Sequence, residues 1–394
     1  MVAVAPVVGE LRADTGLSSA LAGLLTTLPV LSFGAFAPFA PRLARRIGLE
    51  TAVALSLVLL AAGIGLRILS PVALLFAGSL IAGAAIALAN VLLPAYVKRE
   101  FRRPGPVMGL YSASLNVGAA AGAAATVPLA AALGVDWRTA LGLWLVLALA
   151  ALALWLPVAG TGRASRTSEP MPAGQGSWSL LRQPLARWVT AYLGLQSVQF
   201  YSLGAWLPTL LADAGVPVRE GGLLLGLCNV VGAAAALLAP AQAGRMITQR
   251  PLVLAVGVAY LVGLGGLLVA PADGTLVWVV AFGLAQGGGF ALALTLVVLR
   301  SPTPLVAARL GGVAQCVGYL LAAFGPLVLG ALYDATGGWT WPLALLLGAL
   351  VPMTAAGWGA GRRAVLRSGS VSGASPAGAR SPAGSAGPAG PAGR

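Results

Sequence analysis

Residues Gly16–Glu50 read GLSSALAGLLTTLPVLSFGAFAPFAPRLARRIGLE. The run Leu17–Ala40 carries no charge, and a helix of ~20 apolar residues spans the hydrocarbon core of a bilayer at 1.5 Å per residue. Two acids, Glu10 and Asp14, precede this run, and three arginines, Arg42, Arg45 and Arg46, follow it. Such a span has a direction, because short loops rich in Lys and Arg remain in the cytoplasm.

The same alternation extends along the chain. Ten further stretches are long and apolar enough to span: Thr51–Leu69, Pro71–Tyr96, Val107–Leu133, Ala140–Val158, Trp188–Leu211, Gly221–Ala239, Leu252–Val269, Leu276–Leu299, Leu310–Leu332 and Trp341–Ala360. Of 24 Lys and Arg, 20 fall in alternate loops and the C-terminal tail. The intervening loops hold only Arg12, Arg67, Arg138 and Arg219, yet seven of the ten acids: Glu10, Asp14, Asp136, Asp213, Glu220, Asp273 and Asp334. The expected topology puts the basic loops and the C-terminus in the cytoplasm and the acidic loops outside, in a multi-pass membrane protein. Arg67, at the outer end of its span, is expected to snorkel to the interface.

Composition agrees. Charged residues make up 9% of the chain and apolar ones 58%, with mean hydropathy +0.91, against roughly 25% and 45–50% for soluble domains. The net charge of +14 sits in short loops. It forms no basic stripe interleaved with aromatics, so nucleic acid is not an expected partner. The expected partners are the lipid bilayer and a small-molecule solute, with the chain acting as a monomer. Cys228 and Cys316 lie inside apolar runs, without disulfide or zinc spacing. No metal or cofactor is expected.

The chain repeats itself. A shift of 199 brings Gly16, Gly23, Pro41 and Arg46 onto Gly215, Gly222, Pro240 and Arg245. Shifts of 203–204 bring Gly83 onto Gly287, Gly109 onto Gly312 and Gly122 onto Gly325. Two six-span halves in the same orientation are a parallel repeat. The expected domains are residues 1–158, a cytoplasmic linker over 159–187 rich in Ser, Pro, Gly and Arg, a second bundle over 188–361, and a disordered tail over 362–394 with PAG repeats. Met1–Gly9 is apolar but reaches only ~14 Å as a helix. Subtracting 199 from Trp188 falls before Met1, so the first helix is expected to be truncated by about a dozen residues.

The loop PRLARRIGLE (Pro41–Glu50) resembles the G-x-L-A-D-R-x-G-R-[RK] loop of major facilitator proteins at Leu43, Ala44, Arg46 and Gly48, with Arg45 at the acidic position and Leu49 at a later basic one. Further stretches are NVLLPAYVKREF (Asn90–Phe101), GLQSVQFYSLGAWLP (Gly194–Pro208), AQGGGFALALTLVVLR (Ala285–Arg300) and GGVAQCVGYLLAAFGPLVLGALYDATGGW (Gly311–Trp339). Together with Gly16–Glu50 they resemble the cyanate/nitroimidazole transporter branch of that superfamily. The resemblance implies an all-α membrane protein with the major facilitator fold: two six-helix bundles around a central cavity, working as a secondary transporter. It also implies an Arg inside the first span, at a position upstream of Met1.

Polar residues inside spans are costly and tend to face a cavity or another helix. Tyr192, Gln196, Gln199, Ser202 and Trp206 step by four, three, three and four residues along one helical face, with Tyr201 beside it. Ser112 and Asn116 share a face, with Tyr111 adjacent; under the repeat they correspond to Gln315 and Tyr319. Asn90 and Gln286 add polar groups in neighbouring spans. All of these except Ser202 are the expected substrate-binding residues; the competing reading is interhelical hydrogen bonding. Gly287–Gly289 lie in an apolar span with no Lys nearby and fit close helix packing, not a phosphate loop.

The chain has no His, and no Asp or Glu lies in a span interior. A Ser–His enzyme is therefore impossible, no cofactor motif points to another enzyme, and no proton relay is evident. The expected function is alternating-access transport, secondary-active or facilitative, of a small polar, anionic or nitroaromatic-like solute; the other reading in that class is efflux of a drug or metabolite.

Overall fold

The computed structural model describes residues 7–160 and 176–367. They form thirteen α-helices: α1 (Val8–Thr15), α2 (Ser19–Phe36), α3 (Ala40–Ile47), α4 (Leu49–Leu66), α5 (Val72–Glu100), α6 (Pro104–Leu133), α7 (Trp137–Gly160), α8 (Pro184–Asp213), α9 (Val218–Ala243), α10 (Arg250–Val269), α11 (Thr275–Arg300), α12 (Pro304–Thr336) and α13 (Thr340–Ala360). No strand occurs among the described residues. Apolar sequence in lipid leaves no alternative, because every backbone N–H and C=O must be satisfied within its own helix.

Among the described residues, eight helices are long and apolar enough to span. A ninth, α6, qualifies if its two parts, bent by 43° after Gly122, count as one span. Of the eleven spans expected from the sequence, α8 falls outside this set; α2, 18 uncharged residues long, includes side chains outside the described ones. The 30-residue α8 is long enough, but its Tyr, Gln and Ser side chains lower its mean hydropathy. α8 also starts at Pro184, inside the expected linker, of which Ser177–Arg182 forms a 3-10 helix. Residues 161–175 of the linker and the tail from 368 lie outside the described residues.

The sequence repeat appears in the backbone. Gly16 and Gly215 have left-handed φ of 67° and 85°, and Gly134 and Gly337 of 63° and 68°. Each pair matches under the shifts of 199 and 203, and each glycine supplies the left-handed turn that follows a helix where other residues are strained. Helix packings come in pairs as well: α2 on α5 and α9 on α11, α4 on α5 and α10 on α11, α4 on α7 and α10 on α13. Across the molecule α2 packs on α12 and α6 packs on α9, which is the same crossing seen from either side of a pseudo-two-fold axis.

Both crossings are tightest at one end, the end carrying Arg45, Arg99 and Arg245. There Gly109 abuts the Leu237 carbonyl, and a Cβ on Gly312 would stand 2.9 Å from the Ala37 oxygen. Gly109 and Gly312 are repeat partners, as are Leu237 and Pro38, which also faces Gly312. A Cβ on Gly105 would come within 2.5 Å of the Pro240 oxygen. Small residues let the backbones meet, and close packing is what holds helices together in lipid. The halves are thus sealed against one another at this basic end.

The same end carries a similar arginine contact in each half. The Arg99 guanidinium donates to the Glu50 carboxylate, and that of Arg300 donates to the Gln249 side-chain oxygen. Glu50 and Gln249 are 199 residues apart. The loop Pro41–Glu50 lacks the family's acid at Arg45, and Glu50 supplies a carboxylate five residues later. Trp155 locks this corner by donating to the Glu50 carbonyl at 3.0 Å.

Candidate functional site

Away from the sealed end the two sets of helices separate around a cavity of about 440 Å³, within the range of small-molecule sites. Its walls come from α2, α4–α8, α11 and α12. One wall is aromatic. Phe33 packs on Tyr319 with ring centroids 5.2 Å apart, Tyr319 meets Tyr201 edge-on at 6.2 Å, and Phe200 lies 5.1 Å from Tyr201 and 5.6 Å from Phe290. The facing wall carries Asn90 from α5, Asn116 from α6 and Trp144 from α7, with Arg67 from the end of α4.

These polar groups are held in place. The Asn90 side-chain oxygen accepts from the Tyr111 hydroxyl at 2.9 Å, and its backbone carbonyl accepts from Gln315 Nε2 at 3.2 Å. The Gln315 bond crosses from α12 to α5 and so joins the halves directly beneath the cavity. Asn116 donates to the Ser112 carbonyl at 2.9 Å, leaving its own oxygen for a ligand. Under the repeat Asn116 pairs with Tyr319 and Ser112 with Gln315. The first pair lines the cavity, and the second is buried one turn below.

Of the residues expected from the sequence, Asn90, Asn116, Tyr201 and Tyr319 line the cavity. Tyr111 and Gln315 stand behind them as partners of Asn90, and Ser112 is fully buried with no partner for its hydroxyl among the described residues. The α8 stripe lies away from the cavity. Tyr192, Gln196, Gln199 and Ser202 are wholly buried on the side of α8 that packs against its own half. Gln196 donates to the Tyr260 hydroxyl at 2.8 Å and to the Gln286 carbonyl at 3.3 Å, and Gln199 to the Leu346 carbonyl at 2.7 Å. Trp206 donates to the Pro326 carbonyl at 2.9 Å, and Tyr192 lies against Gly357. Gln286 enters this set through its backbone carbonyl, and none of these residues lines the cavity. Periodicity identified the polar face of α8, and interhelical hydrogen bonds take the Gln196 and Gln199 amide N–H groups, while the Gln196 and Gln199 side-chain oxygens and the Tyr192 and Ser202 hydroxyls are buried without a partner among the described residues; Phe200 and Tyr201, on another face of the helix, line the cavity.

Arg67, expected to snorkel, is 5% exposed and stands in the cavity wall. Glycine on the neighbouring helix makes room, because a Cβ on Gly78 would stand 2.8 Å from Arg67 Cγ. That glycine, 11 residues downstream in the next span, is the signal the sequence offered. Phe33, Phe200, Phe290 and Trp144 were not singled out from the sequence either, because an aromatic facing a cavity and one facing lipid look alike in a single chain.

Among the described residues no cluster of His, Cys, Asp and Glu could hold a metal ion. A polar, aromatic chamber between two related sets of membrane helices, closed at one end, defines a solute carrier. The chain belongs to the Major Facilitator Superfamily, whose profile matches residues 1–321. It is 40% identical over 361 residues to the uncharacterized transporter YycB of Bacillus subtilis (strain 168), covering 91% of this chain and 89% of that protein. It is 39% identical over 348 residues to the 2-nitroimidazole transporter of Escherichia coli (strain K12), covering 86% of each. Among solved structures, the E. coli fucose:proton symporter FucP superposes with a TM-score of 0.69 over 90% of this chain and 95% of that one, at 13% identity. The protein is therefore a multi-pass membrane transporter of a small solute, working by alternating access, and not an enzyme.

Proposed function

We propose that the cavity between Asn90, Asn116, Tyr201 and Tyr319 binds the transported solute, a small planar molecule with a polar or anionic group. The observation that carries this reading is the joint origin of the chamber. Asn116 and Tyr319, repeat partners from the two halves, line it together, and the midplane between repeats is where such carriers hold substrate. A planar solute stacks on the tyrosine–phenylalanine wall, where aromatic contacts add about 0.5–1.5 kcal/mol beyond area burial. Its polar edge meets the two asparagines. The 2-nitroimidazole carried by the E. coli relative has this shape.

The basic end is cytoplasmic on the charge distribution, so the conformation sealed at Gly109 and Gly312 opens outward. Residues 7–158 and 188–361 rock about the cavity as two bodies within a single protomer, and the C-terminus is cytoplasmic. None of the lining residues is Asp, Glu or His, which supports transport without a side-chain proton relay.

Uptake of labelled 2-nitroimidazole or benzoate into proteoliposomes tests this. Saturable uptake with counterflow is expected. Asn90→Ala and Tyr319→Ala should each lower it roughly tenfold, the effect of one lost contact of ~1.4 kcal/mol, while Gln199→Leu keeps it. A protonophore at clamped membrane potential should change the rate less than about twofold. Wild-type rates in Asn90→Ala and Tyr319→Ala, or uptake abolished by the protonophore, would contradict this reading.

A further inference from the structure

We infer that Arg67 is the anion-binding group of this cavity and that the transported solute is a monoanion; the inference rests on the reading of the cavity as the substrate site. Arg67 caps the end of α4. It is 95% buried by its 5% exposure, and its Nε and Nη2 are enclosed without a hydrogen-bond partner. Among the described residues it joins no salt bridge. No Asp, Glu, Lys or second Arg is among the cavity-lining residues.

The neighbourhood sharpens the point. Arg138 lies toward the same end of the molecule, and there it takes Asp14 at 3.3 Å, the Leu69 carbonyl at 3.0 Å and the Trp137 ring at 4.4 Å. An acid is therefore at hand at this end, and Arg138 uses it while Arg67 lines the chamber. Glycine at position 78 is the space that lets it do so. An unpaired buried charge is expensive, and an ionisable residue kept inside a membrane protein marks a ligand path.

A guanidinium presents its N–H donors in a flat fork matched to two oxygens of a carboxylate or a similar planar anion. Asn116 lines the same chamber and offers neutral contacts, and the Tyr201–Tyr319 wall takes the ring or the flat face. Charge counting selects valence. One cation and no lining anion make the empty chamber +1; a monoanion brings it to neutrality, whereas a dianion would leave an unpaired negative charge among apolar walls. Only the neutral filled chamber can close without enclosing net charge, which selects monoanions during occlusion.

Thermal melting of the purified full-length chain tests this with matched probes: benzoate, benzamide of the same shape without the charge, phthalate with two charges, and cyanate and nitrate as small monoanions. Benzoate or one of the small monoanions should raise the melting temperature, and benzamide and phthalate should not. Arg67→Gln should lose the monoanion shift, with apparent affinity roughly 10- to 100-fold weaker, the value of a charge-assisted hydrogen bond, and Arg67→Lys should keep part of it. Without ligand Arg67→Gln should melt higher than wild type, because a buried unpaired charge is gone. The inference is overturned if no monoanion stabilises the wild type, if benzamide matches benzoate, if the shift survives Arg67→Gln, or if ligand-free Arg67→Gln melts lower. Should Arg67→Gln not fold, Arg67→Lys and the benzoate–benzamide pair on wild type still decide. Loss of the shift in Asn90→Ala with its survival in Arg67→Gln defeats this inference alone; survival of the shift in both variants defeats the cavity assignment as well.

Discussion

Gly287→Ala is expected to destabilise the protein by about 3 kcal/mol, the upper range for overpacking, and to sharply reduce the yield of folded protein. α9 and α11 cross at this residue. A Cβ on Gly287 would collide with the backbone of Gly232, its carbonyl oxygen first, and backbone cannot rotate away as a side chain can. Gly283, one turn earlier, meets the Cys228 carbonyl in the same way, at 2.7 Å from a built Cβ. The adjacent residue gives an internal control. A Cβ on Gly288 would meet only the Ala235 and Ala239 methyls, at 3.6 and 3.8 Å, which is ordinary contact. Gly288→Ala should therefore be neutral or up to ~1 kcal/mol stabilising, from the helix propensity gained. Melting followed by fluorescence-detected gel filtration separates the two variants, and equal stability would refute the crossing.

Arg300→Met should cost about 3 kcal/mol, from two hydrogen bonds to a charged donor at ~1.5–3 kcal/mol each, less the apolar packing that Met retains. Arg300 is 5% exposed at the end of α11. Its Nε donates to the Ala360 carbonyl at 2.7 Å, its Nη2 to the Gln249 side chain, and its carbonyl accepts from Leu366 N at 2.8 Å. Gln249 in turn donates to the Ala243 and Met246 carbonyls, both at 2.9 Å. One guanidinium thus ties the ends of α9, α10, α11 and α13 together. Arg99, near the end of α5, is more exposed, at 19% of its side chain, so Arg99→Met should cost less, about 1 kcal/mol. Thermal melting of the two variants side by side checks the order; a larger loss for Arg99→Met would contradict it.

The fold was legible in the sequence because lipid leaves an apolar chain little choice. Spans follow from hydropathy, and the repeat follows from residues such as Gly109 and Gly312, whose roles at matched crossings demand the same amino acid. The cavity wall was legible only where both halves contribute matched polar groups. Asn116 and Tyr319, which line it, follow from the repeat, and Asn90 from being a lone polar group within a span. The α8 stripe stands apart from the cavity because the Gln196 and Gln199 amide groups donate to the Tyr260 hydroxyl and the Leu346 carbonyl, more than 60 residues away. Helical period tells which residues share a face, not what that face meets. Arg67 was read as an interface residue because a cation at a span end usually reaches water; the position of Gly78 on the next helix makes room for it in the cavity wall.

The most direct test of the cavity as an alternating-access site is labelling of a single cysteine at its wall. The native Cys228 and Cys316 are 1% and 8% exposed, so Asn116→Cys in a Cys228→Ser, Cys316→Ser background reports on one position. A membrane-impermeant thiol reagent added to right-side-out vesicles should label it, and a saturating transported solute should protect it. Absence of labelling from that side, or labelling that saturating solute leaves unchanged, would contradict the account.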